Sequence, residues 1–250
     1  EGEIFGFLGP SGAGKTTTIN ILTGQLSQDS GKAYILNKES NRLLPSDFLN
    51  IGIMSDTVGF YGKMTVYKNL QFFAKYHNVS LDKLDVLLKE LELFEDKDKK
   101  AEKLSTGMKQ RMLLIRSILH HPKILFLDEP TSGLDPALSN KVHDILLNLK
   151  NEGTTIFLTT HDMSEATKIC DRISLLNSGH ILEYGSPQEI IDKYSQQDKA
   201  VIRFKNGDSI MVSQAEAARY LGGSDVASVH TLENTLEDIF IKISEDSKNA

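Results

Sequence analysis

Short apolar runs alternate along the chain with segments in which apolar residues recur every three or four positions. In the first 55 residues this pattern predicts strands at 4–8, 31–36 and 50–55 and a helix at about 15–26. The helix prediction rests on Ile19, Leu22 and Leu26, because their spacing places them on one face. Strands that alternate with helices in this way are typical of an α/β domain.

The pattern is helical from about residue 58 to residue 117. Val66, Leu70 and Phe73 fit one helical stripe. A second stripe is formed by Leu81, Leu84, Leu87, Leu88, Leu91 and Phe94. No comparable strand candidate interrupts the region, so we predict a helical subdomain that is inserted into the α/β core.

Alternation of strands and helices resumes after this region. The predicted elements are strands at 123–127 and 154–159, a helix that starts at Pro136 and stops before Gly153, a hairpin at 172–184, and a helix capped by Ser186. Asp162 and Glu165 have the spacing of a helix-capping box.

Polarity rises around residues 196–198, and we place a domain boundary there. Residues 1–195 then form the main domain and residues 196–250 a small α+β extension. The extension contains strand-like runs at 200–204 and 209–212 and an amphipathic terminal helix at 236–243.

Composition narrows the classes of function. The formal net charge of -6 argues against nucleic acid as a partner, since neutralising phosphates requires a basic face. No apolar run approaches the ~18 residues that a membrane-spanning helix requires. The single cysteine, Cys170, excludes an internal disulfide and is expected to be a small buried residue.

A glycine-rich loop carries the clearest chemistry. The pattern G-x-x-x-x-G-K-[ST] is matched in full by Gly9, Pro10, Ser11, Gly12, Ala13, Gly14, Lys15 and Thr16. Glycines allow backbone N–H groups to turn toward phosphate oxygens, and the start of the following helix adds positive potential. We expect Lys15 to reach the β- and γ-phosphates of a nucleotide and Thr16 to ligate magnesium. Thr17 is assigned to the same phosphate site.

An apolar strand ends in two acids at Asp128 and Glu129. The carboxyl edge of a parallel sheet is where ligands bind in such folds, so both side chains are expected beside the phosphate loop. Asp128 suits a magnesium partner, and Glu129 suits a base or a water-orienting group next to the γ-phosphate.

Three further segments complete a family pattern, namely Leu104 to Arg111, Ser132 to Asp135, and an isolated His161 after Thr160. Together with the phosphate loop and the acidic strand, they occur in the order typical of ABC (ATP-binding cassette) transporters. Over residues 1–190 the chain resembles the ATP-binding subunit of such a transporter. The resemblance implies a RecA-like P-loop NTPase core and hydrolysis of ATP with Mg²⁺.

The resemblance also implies roles for residues beyond the phosphate loop. Lys15, Glu129 and His161 would be catalytic, and Asp135 would cross a dimer interface. Ser105 and Gly107 would bind the γ-phosphate of a second ATP-binding subunit, from a signature loop that here includes Thr106 and Met108. A separate membrane permease would be driven from the cytoplasmic face of the cell membrane, with Phe60, Tyr61 and Met64 as candidate contacts.

The chain departs from the family pattern at three places. Thr106 and Met108 stand where the signature loop usually has glycine and glutamine, and Asp56 stands where a metal-linked glutamine is usual. We assign Asp56 to the metal site with its role open. The aromatic residue that usually stacks on adenine lies upstream of the phosphate loop in the family, and we expect it to be missing from this chain.

The direction of transport is less well defined by the sequence. Residues 232–240 resemble the C-terminal tail of bacterial exporters of drugs, peptides, lipids or ions, while a terminal helix that closes a small separate core explains them equally well. The alternatives are an importer ATPase and a non-transport ATP-dependent clamp. The clamp is disfavoured by a single cassette and by the lack of sustained heptads.

Overall fold

The computed structural model describes residues 1–55, 59–194, 199–231 and 234–246. Its strands are β1 (Ile4–Leu8), β2 (Tyr34–Ile35), β3 (Lys38–Glu39), β4 (Ile51–Met54), β5 (Ile124–Asp128), β6 (Thr155–Thr160), β7 (Arg172–Asn177), β8 (His180–Gly185), β9 (Lys199–Phe204), β10 (Ser209–Ser213) and β11 (Val226–Thr231). Its helices are α1 (Lys15–Leu22), α2 (Val66–Tyr76), α3 (Leu81–Glu90), α4 (Thr106–Ile118), α5 (Pro136–Asn151), α6 (Met163–Ile169), α7 (Pro187–Tyr194), α8 (Gln214–Ala217) and α9 (Leu236–Asp246).

The centre of the molecule is a six-stranded sheet in the order β4-β5-β6-β1-β7-β8. Neighbouring strands are parallel except β8, which returns antiparallel to β7 through the predicted hairpin. In the register, Leu8 pairs with Thr160 and Asp128 pairs with Thr159. The carboxyl ends of β1, β5 and β6 therefore meet at one edge, as expected for the ligand edge of an α/β sheet.

The helix after the phosphate loop is shorter than the sequence predicts. It ends at Leu22, and Gly24 follows with a φ of 71°. A Cβ atom at Gly24 would lie 2.4 Å from the carbonyl oxygen of Ser40, so this turn requires glycine. Leu26 lies beyond the helix and is 48% exposed, so the prediction that it shares one helix face with Ile19 is wrong.

The strand predicted at 31–36 is also shorter than expected. Only Tyr34–Ile35 is a strand, and it pairs with Lys38–Glu39 in a two-residue hairpin. Leu36 and Asn37 form the turn with φ values of 50° and 65°. Positive φ at both central residues is the geometry that matches the right-handed twist of paired strands.

The inserted helical subdomain is confirmed as α2, α3 and α4. Its predicted stripes are buried at Val66, Leu70, Leu84 and Leu88, all of which belong to the main core. Thr65 caps α2 and Ser80 caps α3, each accepting a backbone N–H bond. Helix α4 packs against β4, which joins the subdomain to the sheet.

The C-terminal extension contains a three-stranded sheet in the order β10-β9-β11. The pattern did not predict β11, and the boundary predicted at 195–196 lies outside the described residues. Helix α9 packs against α6 and α7 instead of against this sheet's own small core. Since Leu236 and Ile239 are buried in the main core, the interpretation of the terminal helix as closing a separate core is wrong.

Candidate active site

A cleft of about 370 Å³ opens at the shared edge of β1, β5 and β6. It is lined by Ser11, Gly12, Gly14, Lys15, Thr16, Thr17, Gln110, Asp128, Glu129 and Ser132. The sequence-predicted phosphate loop and acidic pair are therefore brought together. Gln110 and Ser132 were not predicted as lining residues, although each lies in a segment that carried the family pattern.

The phosphate loop folds back on itself before α1. Gly12 and Gly14 have φ values of 80° and 109°, and a Cβ atom at Gly9 would lie 2.2 Å from the carbonyl oxygen of Leu176. These positions require glycine for conformation or for close approach. The start of α1 has no side-chain cap and no acidic residue in its first turn. Its free N–H groups and positive dipole end therefore suit an anion such as phosphate.

Lys15 is held at the mouth of this loop. Its side chain is 7% exposed, and Nζ donates to the carbonyl oxygen of Gly9 at 2.7 Å and to that of Pro10 at 3.3 Å. Nζ also lies 3.2 Å from Oε1 of Glu129. The ammonium is thus positioned by loop carbonyls and one carboxylate, which keeps a positive charge beside the place where phosphates would bind.

Thr16 and Asp128, two residues of the predicted metal site, converge on one point. Thr16 Oγ1 donates to Asp128 Oδ2 at 2.6 Å, and Thr159 Oγ1 donates to the other carboxylate oxygen. Mg²⁺ is commonly held by one or two protein oxygens together with substrate phosphates, and a hydroxyl next to a carboxylate fits that donor set. Thr159 was not predicted; its only sequence signal is a polar residue at the end of a buried strand.

Asp56, the third predicted metal residue, lies outside the described residues. Its assignment to the metal site stays a prediction.

Glu129 and His161 meet across the ends of β5 and β6. Nδ1 of His161 lies 2.7 Å from Oε2 of Glu129. Glu129 has a φ of 51°, an uncommon conformation for a non-glycine residue, and its N–H donates to the carbonyl oxygen of Thr159. Its carboxylate therefore contacts the lysine through one oxygen and the histidine through the other. A base in contact with two other polar groups suits proton transfer to or from a bound water.

The predicted signature loop lies apart from this cleft. Ser105 caps α4, with Oγ accepting the N–H of Met108 at 3.3 Å. Ser105 and Thr106 are exposed, and the described lining of the cleft includes Gln110 from α4 but none of residues 105–108. Asp135 caps α5 by accepting the N–H groups of Ala137 and Leu138. Within one chain these residues have structural roles, and their predicted roles in a dimer stay predictions.

The capping box predicted at Asp162 and Glu165 is only half formed. Asp162 accepts the N–H groups of Ser164 and Glu165, as predicted. The Glu165 side chain does not return to the N–H of Asp162, which donates to Thr160 Oγ1 instead. Glu165 is 4% exposed and hydrogen-bonds to Thr131 and His143 instead. The prediction that its side chain completes the capping box is therefore wrong.

The phosphate loop at the edge of a parallel sheet, with an acidic pair beside it, defines a P-loop nucleoside triphosphatase. Residues 1–132 match the family described as ABC transporter. The chain therefore belongs to the ABC transporter family, and it is an ATP-binding subunit, an ATPase coupled to transport.

Named relatives agree with this assignment. The chain is 38% identical to the fluoroquinolones export ATP-binding protein of Mycobacterium tuberculosis, across 98% of this chain and 84% of the relative. It is 33% identical to the Nod factor export ATP-binding protein I of Bradyrhizobium diazoefficiens, across 98% and 88%.

The fold resembles an ATP-binding subunit of an ABC transporter with a TM-score of 0.73, at 22% identity over 97% of this chain and 88% of the other. Across the described part of the chain, none of the helices has the length and apolar character that crossing a membrane demands.

Proposed function

We propose that the chain binds and hydrolyses Mg-ATP as one half of a pair of ATP-binding subunits, and that this hydrolysis drives export through a separate membrane permease. The observation that carries the proposal is the continuous contact from Lys15 through Glu129 to His161 beside the phosphate loop. These three groups supply a cation for the phosphates, a base for water, and a polar partner for the base.

The position of each residue suits it to one step of ATP hydrolysis. Backbone N–H groups at the start of α1 bind phosphate oxygens, and Lys15 exchanges its contacts with loop carbonyls for contacts with the β- and γ-phosphates. Glu129 accepts a proton from the attacking water, while His161 orients that water and the carboxylate. Thr16 and Asp128 would hold magnesium, which neutralises charge on the phosphates when it is bound.

A second subunit completes the site in this proposal. Ser105 and Gly107 are not part of the described lining of the chain's own cleft, and they sit at the exposed start of α4. The free N–H groups there suit a phosphate held by a partner subunit. Head-to-tail pairing would place this helix start over the partner's phosphate loop, with Asp135 at the interface.

Export is favoured over import by the relatives, two of which are named as export ATP-binding proteins and align with 98% of this chain. We infer that the permease selects the substrate and that the subunit works at the cytoplasmic face of the membrane. The net charge of -6 does not favour nucleic acid as a partner.

The test reconstitutes the full chain with its permease in liposomes and measures ATP hydrolysis and substrate movement together. Glu129→Gln should retain ATP binding, slow hydrolysis by roughly 10²–10⁴-fold, and trap a dimer with ATP. Glu152→Gln, an exposed glutamate beside His121, is the matched control and should behave as the wild type. Wild-type turnover by Glu129→Gln, or hydrolysis without any movement of substrate, would overturn the proposal.

A further inference from the structure

A buried carboxylate lies behind the candidate active site. Glu165, in the first turn of α6, is 4% exposed. Its Oε1 accepts a hydrogen bond from Thr131 Oγ1 at 2.7 Å and lies 3.0 Å from Nε2 of His143, which is 6% exposed on α5. One oxygen atom therefore joins three segments, namely the turn after Glu129, helix α5, and helix α6.

Two of these segments also carry the candidate catalytic pair. Thr131 follows Glu129 by two residues, and Glu165 follows His161 by four. The turn that contains Thr131 is closed by backbone hydrogen bonds from Ser132 to Glu129 and from Leu134 to Thr131, each 3.1 Å long. The Thr131–Glu165 hydrogen bond and the Glu129–His161 contact therefore cross the same gap between the same two segments. Both links therefore bear on the separation of the same two segments.

Packing alone does not account for a glutamate at this position. A buried carboxylate is costly unless its oxygens are hydrogen-bonded, and an apolar side chain of similar volume often serves stability equally well. Moreover, Glu165 Oε2 and His143 Nδ1 have no hydrogen-bond partner among the described residues. Among the described residues only one oxygen of this carboxylate is hydrogen-bonded, and that oxygen is the one that binds Thr131.

We propose that Glu165 is a positioning residue for ATP hydrolysis: by holding Thr131, it sets the separation of Glu129 from His161. The inference rests on the proposed roles of those two residues in hydrolysis. It assigns to Glu165 no contact with ATP, so its loss should lower turnover and leave nucleotide binding intact. Small displacements of catalytic groups are known to cost large factors in rate.

The experiment measures steady-state hydrolysis of Mg-ATP by the full chain and separates kcat from KM. Thr131→Val removes the donor and keeps the shape, and it should lower kcat by about 10-fold with KM within about two-fold of wild type. Thr131→Ser restores the hydroxyl and should restore kcat. Glu165→Leu should match Thr131→Val, and the double variant should be no slower than either single one, because both act through one hydrogen bond.

A matched control exists at the same position of the next helix. Glu189 is the third residue of α7, and its carboxylate returns to the N–H of Ser186 in a complete capping box. Glu189→Leu should therefore cost some stability and leave kcat unchanged. Melting temperatures of all variants are recorded, and if Glu165→Leu does not fold, the threonine pair decides the question.

The inference is overturned if folded Thr131→Val turns over ATP as the wild type does, if Thr131→Ser is as slow as Thr131→Val, or if KM rises in proportion to the loss of kcat. Glu129→Gln is assayed in parallel to separate this failure from failure of the proposed function. If Glu129→Gln is slow and Thr131→Val is not, only the positioning role of Glu165 is lost.

Discussion

The imidazole Nδ1 of His161 lies 2.7 Å from Oε2 of Glu129, and this contact joins the ends of two adjacent parallel strands. Because the other oxygen of Glu129 faces Lys15, the carboxylate lies between a cation and an imidazole. A carboxylate in this position can take a proton from water while the histidine holds the carboxylate in place. The contact therefore predicts that the two residues act as a unit.

The coupling of this pair is measured by a double-mutant cycle. His161→Ala and Glu129→Gln should each lower kcat by roughly 10²-fold or more, and the double variant should be little slower than the slower single variant. Groups that act together are strongly non-additive in this way. His180→Ala, at an exposed histidine on β8, controls for loss of an imidazole. Additive losses in the cycle would show that the two side chains act independently.

Nucleotide affinity is expected to depend on Lys15. Lys15→Ala removes the charge-assisted bonds to phosphate and leaves Glu129 without its cationic partner, so affinity for ATP should fall by about 100-fold or more. Calorimetric titration of ATP measures the loss directly. Lys63→Ala, at an exposed lysine, should leave the affinity unchanged. An unchanged dissociation constant for Lys15→Ala would contradict the assignment of the phosphate loop.

Magnesium dependence should change when the carboxylate beside Thr16 is neutralised. Asp128→Asn keeps the shape and removes the charge, so the magnesium concentration for half-maximal hydrolysis should rise by about 10-fold. Removal of the metal by a chelator should stop hydrolysis of ATP altogether. Asp144→Asn, on the exposed side of α5, is the matched control. The same titration on Asp56→Asn tests the predicted third metal residue, and an unmoved curve there places Asp56 away from the metal.

The parts of the site that follow from local sequence were predictable. Glycine spacing determines the phosphate loop, and an apolar strand that ends in Asp128 and Glu129 must deliver both acids to the sheet edge. The contacts of Glu129 with Lys15 and His161, and of Asp128 with Thr16, then follow from the order of parallel strands. The predicted cap at Ser186 is also present, since Ser186 Oγ accepts the N–H of Glu189.

What escaped prediction depends on distant partners. Glu165 has the same local spacing as Glu189, yet it turns inward because Thr131 and His143, 34 and 22 residues away, offer hydrogen bonds in the core. The end of α1 is set by the close approach of Gly24 to Ser40. Helix α9 docks on α6 and α7 because those helices leave an apolar surface that no local pattern reveals.

Stability should be sensitive to a methyl group at Gly52. A Cβ atom there would lie 2.2 Å from the carbonyl oxygen of Ser117, where β4 meets α4. Gly52→Ala must push the helix from the sheet, so the free energy of unfolding should fall by about 3 kcal/mol. Gly59→Ala is the control, since among the described residues no heavy atom other than those of its chain neighbours lies within 4 Å of its Cβ position. Equal urea midpoints for the two variants would contradict the close contact.

Acid should weaken the fold through His120. Its ring stacks on His77 with centroids 4.0 Å apart, and its Nε2 lies 3.2 Å from the carbonyl oxygen of Ile51. The pKa of His120 is lowered to about 4, chiefly by burial and to a smaller extent by the positive charges of His77, His121 and Lys83, against a raising effect of the hydrogen bond to Ile51. Burial also lowers the pKa of His77.

The direction in which pH changes the free energy of unfolding follows from the number of protons that the folded and the unfolded chain bind. Between the ordinary histidine pKa of about 6.5 and the lowered value, the unfolded chain binds a proton at His120 that the folded chain does not. The contribution of His120 to the free energy of unfolding is therefore fully present above about pH 6.5 and is lost toward pH 4. Because the ring is only partly buried and solvent screens its charge, this loss is roughly 1–2 kcal/mol. His120→Gln keeps an N–H donor for Ile51 and removes the titration. Urea unfolding from pH 7.5 to 4.5 should show a shallower loss for His120→Gln than for wild type or for the exposed control His180→Gln. Parallel curves for all three proteins would show that His120 does not carry the acid sensitivity.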